Sequence, residues 1–212
     1  LRGRPDNQAL DYSSRLSFLS DIIDVTKKPV IFDADNGGNI EHIKYLSKSL
    51  ERIGVSSMVI EDKIGLKKNS LFSDQSKTKQ DSIKNFCKKI EKIKNTRSSK
   101  DFLITARIES FIVGKGLNDA LNRAEIYSKA GADAILIHSK NKTPHEIFSF
   151  ARNFKKSKYF IPLVAVPSTY SRVYEQDLIK NGFKIVIYAN HLLRAAYPAM
   201  EIVAKKILQH ER

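Results

Sequence analysis

Asp33 and Asp35 stand two residues apart at the end of the stretch PVIFDAD, and Glu61 lies at the end of a second apolar run, SSMVIED. On a strand, residues i and i+2 point to one face, so the two aspartates can meet a common partner. Three carboxylates brought together from neighbouring strands repel one another unless a cation lies between them. Hard oxygen donors with positions left for water suit Mg²⁺ or Mn²⁺. The plainer alternative, a DxD that only caps a loop, stays open on these residues alone. The stretch Glu61–Ser70, EDKIGLKKNS, then runs from the strand end into a polar loop with Gly65, three lysines and Asn69. Such a loop can act as a lid that sets ammonium and amide donors over an anion, or it can be an ordinary charged surface loop. Arg107 and His138 end further apolar runs. In the mouth of a barrel they would offer phosphate a fork-shaped donor and a switchable one. His138 taken singly could equally be a hydrogen-bonded structural histidine.

Those residues need strands to hold them. Six short runs rich in Val, Ile and Leu read as strands: Pro29–Asp35, Ser56–Asp62, Phe102–Ile108, Ala134–His138, Leu163–Pro167 and Ile185–Asn190. They are apolar on both faces, as parallel strands covered on both sides must be. Amphipathic stretches lie between them at Ile40–Ile53, Ser82–Asn95, Asn118–Ala130, Pro144–Asn153 and Glu175–Asn181. Ser13–Val25 and Leu192–Gln209 also read as helices. Gly54 and Gly131 punctuate two of these stretches, as glycine does at helix C-termini. Regular β-α alternation predicts a parallel sheet, and the polar residues gather at strand C-terminal ends, where β/α proteins bind ligands. No GxGxxG or GxxxxGK[ST] follows any strand, which weighs against nucleotide-binding sheets and favours a barrel. The expectation is one domain over 1–212, a (β/α)8 TIM barrel represented by about six of its eight strands. Two strands and a helix are expected to precede Leu1.

Composition sets the outer bounds. The chain has 212 residues, of which 42% are hydrophobic and 28% charged, enough to build a core and too apolar for disorder. Its net charge of +14 raises nucleic acid as a partner, but the lysines are scattered in pairs such as Lys27-Lys28 and Lys155-Lys156 rather than gathered into one patch. Nucleic-acid binding is therefore not expected. The single Cys87 excludes an internal disulfide framework and a Cys-built zinc site. No apolar run approaches the roughly 20 residues of a membrane helix, and no signal-peptide pattern opens the chain, so a soluble cytoplasmic protein is expected.

EDKIGLKKNS resembles the EDKxxxKxNS loop of phosphoenolpyruvate mutases, in the isocitrate lyase and phosphoenolpyruvate mutase superfamily. The resemblance extends over the chain in order: RPD at Arg4–Asp6, DAD at Asp33–Asp35, ARIESFIVGKGLNDALNRAEIYSKAGADAILIHSK from Ala106, VPSTY from Val166 and ANHLLRAAYPAM from Ala189. DADNGGN is one residue shorter than the DADTGYGN of stand-alone mutases. DADNGGN and ANHLLRAAYPAM look most like mutases fused to a nucleotidyltransferase domain. The resemblance implies a Mg²⁺-dependent interconversion of phosphoenolpyruvate and phosphonopyruvate. By motif position, Asp33 would be the direct metal ligand, with Asp35 and Glu61 holding the ion through its waters. Arg107 and His138 would face the phosphoryl group, Lys67, Asn69 and Ser70 would arrive with the loop, and Asp6 matches an active-site aspartate. Family members form homo-oligomers by exchanging a C-terminal helix, which in this chain would lie beyond Arg212. The close rival is phosphonopyruvate hydrolase, which tends to carry Thr where this chain has Asn69. Superfamily lyases place a catalytic Cys in the loop, whereas Cys87 falls on the helix after it, as a small apolar residue would. A non-catalytic basic binding module is the alternative from another class.

Overall fold

All six apolar runs form strands. The computed structural model describes residues 3–65, 67–70 and 78–210. Strands β1 (Ile31–Asp33), β2 (Ser57–Glu61), β5 (Leu103–Ile108), β6 (Ala134–Ile137), β7 (Leu163–Ala165) and β8 (Phe183–Val186) make one parallel sheet in the order β1-β2-β5-β6-β7-β8. That order follows the chain without reversal, which is the winding of a barrel; a doubly wound sheet reverses at a switch point. The sheet is a curled half-barrel of the (β/α)8 type. A short antiparallel pair, β3 (Lys63–Ile64) with β4 (Lys79–Gln80), stands apart at the base of the loop that carries Lys67–Ser70. Two-residue strands leave no alternation to read, and this pair was not expected.

Helices α1 (Tyr12–Asp24), α2 (Ile43–Arg52), α3 (Ile83–Thr96), α4 (Gly116–Ala130), α5 (His145–Phe154), α6 (Glu175–Lys180) and α7 (His191–His210) lie where the sequence pattern places them, within a few residues. Their ends have local causes. The Asp11 carboxylate caps α1 by accepting from the Ser14 N–H at 2.8 Å, and the Ser82 hydroxyl does the same for α3 at Asn85. Gly131 ends α4 with φ +114°, and a Cβ there would run into the Lys94 side chain. The last strand departs from expectation: it covers 183–186 rather than 185–190, and its pairing with β7 is irregular at Leu163/Val164. Asn190, at φ +62°, then turns the chain into α7.

Strand alternation sorts the side chains. Met58, Ile60, Ile104, Ala106, Ile108, Ile135 and Ile137 face the helices and are buried in the main core. Val59, Ala134, Leu136, Val164 and Val166 fill the opposite, concave face. Glu61, Arg107 and His138 continue that concave set past the apolar layer, and Asp33 pairs in register with Val59. The charged residues are therefore the top layer of the concave face, at the C-terminal ends of adjacent strands.

Candidate active site

Asp35 turns sharply at the end of β1, with φ +53°, and its N–H donates to Asp33 Oδ1 at 3.0 Å. Aspartate tolerates this left-handed conformation because its short side chain bonds the local backbone. The turn brings both carboxylates toward Lys67. The Lys67 ammonium lies 2.6 Å from Asp35 Oδ1, 3.0 Å from Asp33 Oδ2 and 3.1 Å from Asp6 Oδ1. Burial opposes the charge on Lys67, but Asp33 and Asp35 hold its ammonium above the ordinary lysine value. Burial likewise works against Asp33, and Lys67 with Arg107 keeps that carboxyl below its usual range. Arg15, on α1, completes this group: it donates to Asp35 Oδ2 at 2.7 Å and to the Asp33 carbonyl, and its guanidinium stacks over Phe32 at 4.6 Å. Arg4, Asp6, Arg15, Asp33, Asp35 and Lys67 all border a cavity of about 400 Å³.

A second charged group adjoins the first. Glu61 pairs in register with Arg107, whose Nη2 is 3.5 Å from Glu61 Oε2. Arg107 Nε donates to Glu109 Oε1 at 2.5 Å, and its Nη2 donates to Ser70 Oγ at 2.9 Å. Ser70 Oγ donates in turn to Glu109 Oε2 at 2.7 Å. Burial raises the Glu61 carboxyl above its usual value despite Arg107; Glu109, equally buried, is carried the other way, chiefly by Arg107. His138 is buried and its Nδ1 has no hydrogen-bond partner among the described residues. Burial, reinforced by the Arg107 charge, pushes its pKa down to about 3, so it is held as a neutral imidazole at physiological pH.

Of the residues expected from the sequence, the structure gathers Asp6, Asp33, Asp35 and Lys67 into one group and Glu61, Arg107 and Ser70 into the other, with His138 at the latter's edge. Asn69 lies exposed between them in chain order. The three carboxylates do not converge on one point: among the described residues no three His, Cys, Asp or Glu side chains do so in ligating geometry. Each already has a cationic neighbour, Lys67 for the aspartates and Lys63 with Arg107 for Glu61. The donor set nonetheless suits a hard cation. An ammonium already bridges Asp33 and Asp35, and among the described residues Glu61 Oε2 is buried without a hydrogen bond, able to accept from a metal-bound water. Arg15 was missed, and Lys63 and Glu109 were given no role in the site. The i, i+2 spacing that singles out Asp33 and Asp35 also links Glu61 to Lys63 and Arg107 to Glu109, whereas nothing in the sequence marks Arg15. Cys87 sits on α3, partly buried, away from this site.

The neutral His138 has a consequence for stability. The folded chain withholds a proton that the unfolded chain takes up near pH 6.5, so stability is lost as pH falls below 6.5, down to about 3. One such group contributes at most ~1.4 kcal/mol per pH unit. Urea unfolding of His138→Asn at pH 7, 6 and 5 is expected to show a shallower loss than the parent. Identical slopes would remove His138 as the cause.

The comparisons converge on one family. A family model described as "Phosphoenolpyruvate phosphomutase" matches residues 1–208. The chain is 40% identical over 210 residues to the phosphoenolpyruvate phosphomutase of Tetrahymena pyriformis, covering 99% of this chain and 69% of that protein. It superposes on the crystal structure of the phosphoenolpyruvate phosphomutase of Streptomyces platensis subsp. rosaceus with a TM-score of 0.93 at 34% identity, covering all of this chain and 72% of that one. A phosphonopyruvate hydrolase in complex with oxalate and Mg²⁺ is similar with a TM-score of 0.86 at 36% identity, over 97% of this chain and 69% of that one. Among the described residues, no helix is long and apolar enough to cross a membrane.

Proposed function

Because the chain belongs to the phosphoenolpyruvate phosphomutase family, we propose that it interconverts phosphoenolpyruvate and 3-phosphonopyruvate with Mg²⁺ as cofactor. The observation that carries this reading is the Lys67–Ser70 segment lying against the strand-end charges, Lys67 on the aspartates and Ser70 on Arg107. A loop seated there positions and covers a small anion, which is what phosphoryl migration between two atoms of one substrate requires. Asn69, the residue the mutases carry at this loop position, separates this reading from hydrolysis. A hydrolase reading keeps the same residues and differs only in the acceptor of the phosphoryl group.

The reaction exchanges one bond for another. In the phosphonopyruvate direction the C–P bond breaks and its electron pair stays on the methylene carbon, giving the enolate of pyruvate. The phosphoryl fragment then forms a P–O bond with the enolate oxygen. Asp33, Asp35 and Glu61 would hold Mg²⁺, which when bound supplies Lewis-acid stabilisation of enolate charge. Arg107 presents to the phosphoryl oxygens the N–H groups not already given to Glu109 and Ser70. The neutral His138 can donate a single N–H beside it without adding charge. Lys67 and Asn69 cover the substrate from the loop, and a loose phosphoryl transition state gains most from such positioning and from the exclusion of water.

The experiment is phosphorus NMR of the protein with Mg²⁺ and phosphonopyruvate. Phosphoenolpyruvate is the expected product; inorganic phosphate with pyruvate would replace the mutase reading by hydrolysis, and an unchanged spectrum would sink both. The protein is further read as a homo-oligomer. On α7, Leu192, Tyr197, Met200, Ile202, Val203, Ile207 and Leu208 face outward, exposed in the single chain. Light scattering on the same sample reads the mass, and a monomer would refute that reading.

A further inference from the structure

Lys63 lies in β3, at the stem of the loop, with its side chain only 5% exposed. A buried ammonium is costly unless its N–H groups find acceptors. Lys63 has a full shell. Its Nζ donates to Ser70 Oγ at 2.8 Å and to the Lys68 carbonyl at 3.2 Å, and it lies 3.4 Å from Glu61 Oε1 and 3.3 Å from Glu109 Oε2. Two of those acceptors belong to the loop segment. The other two belong to the ends of neighbouring strands, where Glu109 also orients Arg107. The Ser70 hydroxyl is shared three ways, donating to Glu109 and accepting from both Lys63 and Arg107. Two buried carboxylates, one guanidinium and one ammonium thus balance in charge around a single hydroxyl of the loop. Neither the loop segment nor Arg107 can shift without breaking bonds that Lys63 shares.

We propose that Lys63 is a positioning residue for the reaction: its ammonium locks the Lys67–Ser70 segment and the Arg107–Glu109 pair into one arrangement, so that the loop donors and the strand donor reach the phosphoryl group together. This rests on the mutase reading above. The role suits an ammonium, whose three rotatable donors on a thin stem can reach acceptors in several directions; a planar guanidinium cannot. Lys63 itself need not touch substrate. Its effect travels through Ser70 and Glu109.

The test uses Lys63→Met, which keeps the length and removes the charge, and Lys63→Gln, which keeps a donor. A misplaced loop donor costs about 10²-fold in kcat, the scale of an ångström of misalignment, with a much smaller change in KM. Amide hydrogen exchange at residues 67–70 should rise while β2 and β5 stay protected, and the share of inorganic phosphate among the products should increase. Combined with Ser70→Ala, the losses should fall well short of the product of the single effects, because both act through one cluster. A purely structural lysine would lower the melting temperature yet leave kcat per folded molecule, the exchange pattern and the phosphate share unchanged; that outcome overturns the proposal. If Lys63→Met does not fold, Lys63→Gln carries the same readouts. If the parent protein fails to turn over phosphonopyruvate, the mutase reading falls and hydrogen exchange alone decides. Unaltered protection at 67–70 then refutes the positioning role.

Discussion

Asp33→Ala is expected to lower turnover of phosphonopyruvate by at least about 10³-fold, because losing several kcal/mol of metal-borne charge stabilisation costs a factor of ten for each ~1.4 kcal/mol. The fold should survive the change. The Asp33 side chain is half-exposed at the edge of the cavity, and Lys67 keeps Asp35 and Asp6 as partners when it is gone. The melting curve should therefore move little, while Mn²⁺ binding followed by electron paramagnetic resonance should weaken sharply. EDTA should silence the parent protein and added Mg²⁺ should restore it, since carboxylate sites of this kind exchange their metal with solvent. Near-parental turnover in Asp33→Ala would remove Asp33 from the reaction and leave its contact with Lys67 as a loop anchor.

The strand positions were legible because burial on both faces writes an uninterrupted apolar run, and six such runs separated by helical periodicity admit little besides a β/α fold. Barrel winding was favoured over the doubly wound alternative only by absent nucleotide motifs; the unreversed strand order settles it. The strand-end positions of Asp33, Glu61, Arg107 and His138 were legible from the apolar runs that they close. How their charges are neutralised was not. Sequence spacing places three carboxylates at neighbouring strand ends, yet it cannot say that Lys67 bridges two of them while Lys63 and Arg107 take the third. Those pairings depend on where the loop returns, and the β3–β4 stem that fixes its return is two residues long. Arg15 was illegible for another reason. It reaches the β1 end from a helix 18 to 20 residues earlier, and the tertiary packing of α1, where Tyr12 donates to the Ala34 carbonyl, brings it there. His138 was read as a switchable donor. Full burial beside Arg107 instead keeps it neutral, which a strand-end position alone does not reveal.

Asn69→Ala should reduce mutase turnover on the order of 10²-fold or more, the scale of losing one preorganised transition-state donor. Asn69 sits in the segment anchored on one side by Lys67 at the aspartates and on the other by Ser70 at Arg107 and Glu109. With the chain tied down on both sides of it, the backbone that carries the exposed Asn69 is held beside the strand-end charges. An amide offers two N–H donors and a carbonyl acceptor, so it can hold a migrating phosphoryl group while the enolate presents either its carbon or its oxygen. In the mutase reading the same side chain would also keep a water from lining up with phosphorus. Asn69→Thr leaves a shorter, branched side chain with one hydroxyl, and is expected to shift the products toward inorganic phosphate and pyruvate. The measurement is the ratio of inorganic phosphate to phosphoenolpyruvate formed from phosphonopyruvate, followed by phosphorus NMR in parent and variants. Full turnover with an unchanged ratio in both variants would show that Asn69 takes no part, and the preference for mutase over hydrolase would lose its support in this loop. A fall in rate without a change in ratio would make Asn69 a phosphoryl donor only, leaving the exclusion of water to its anchored neighbours.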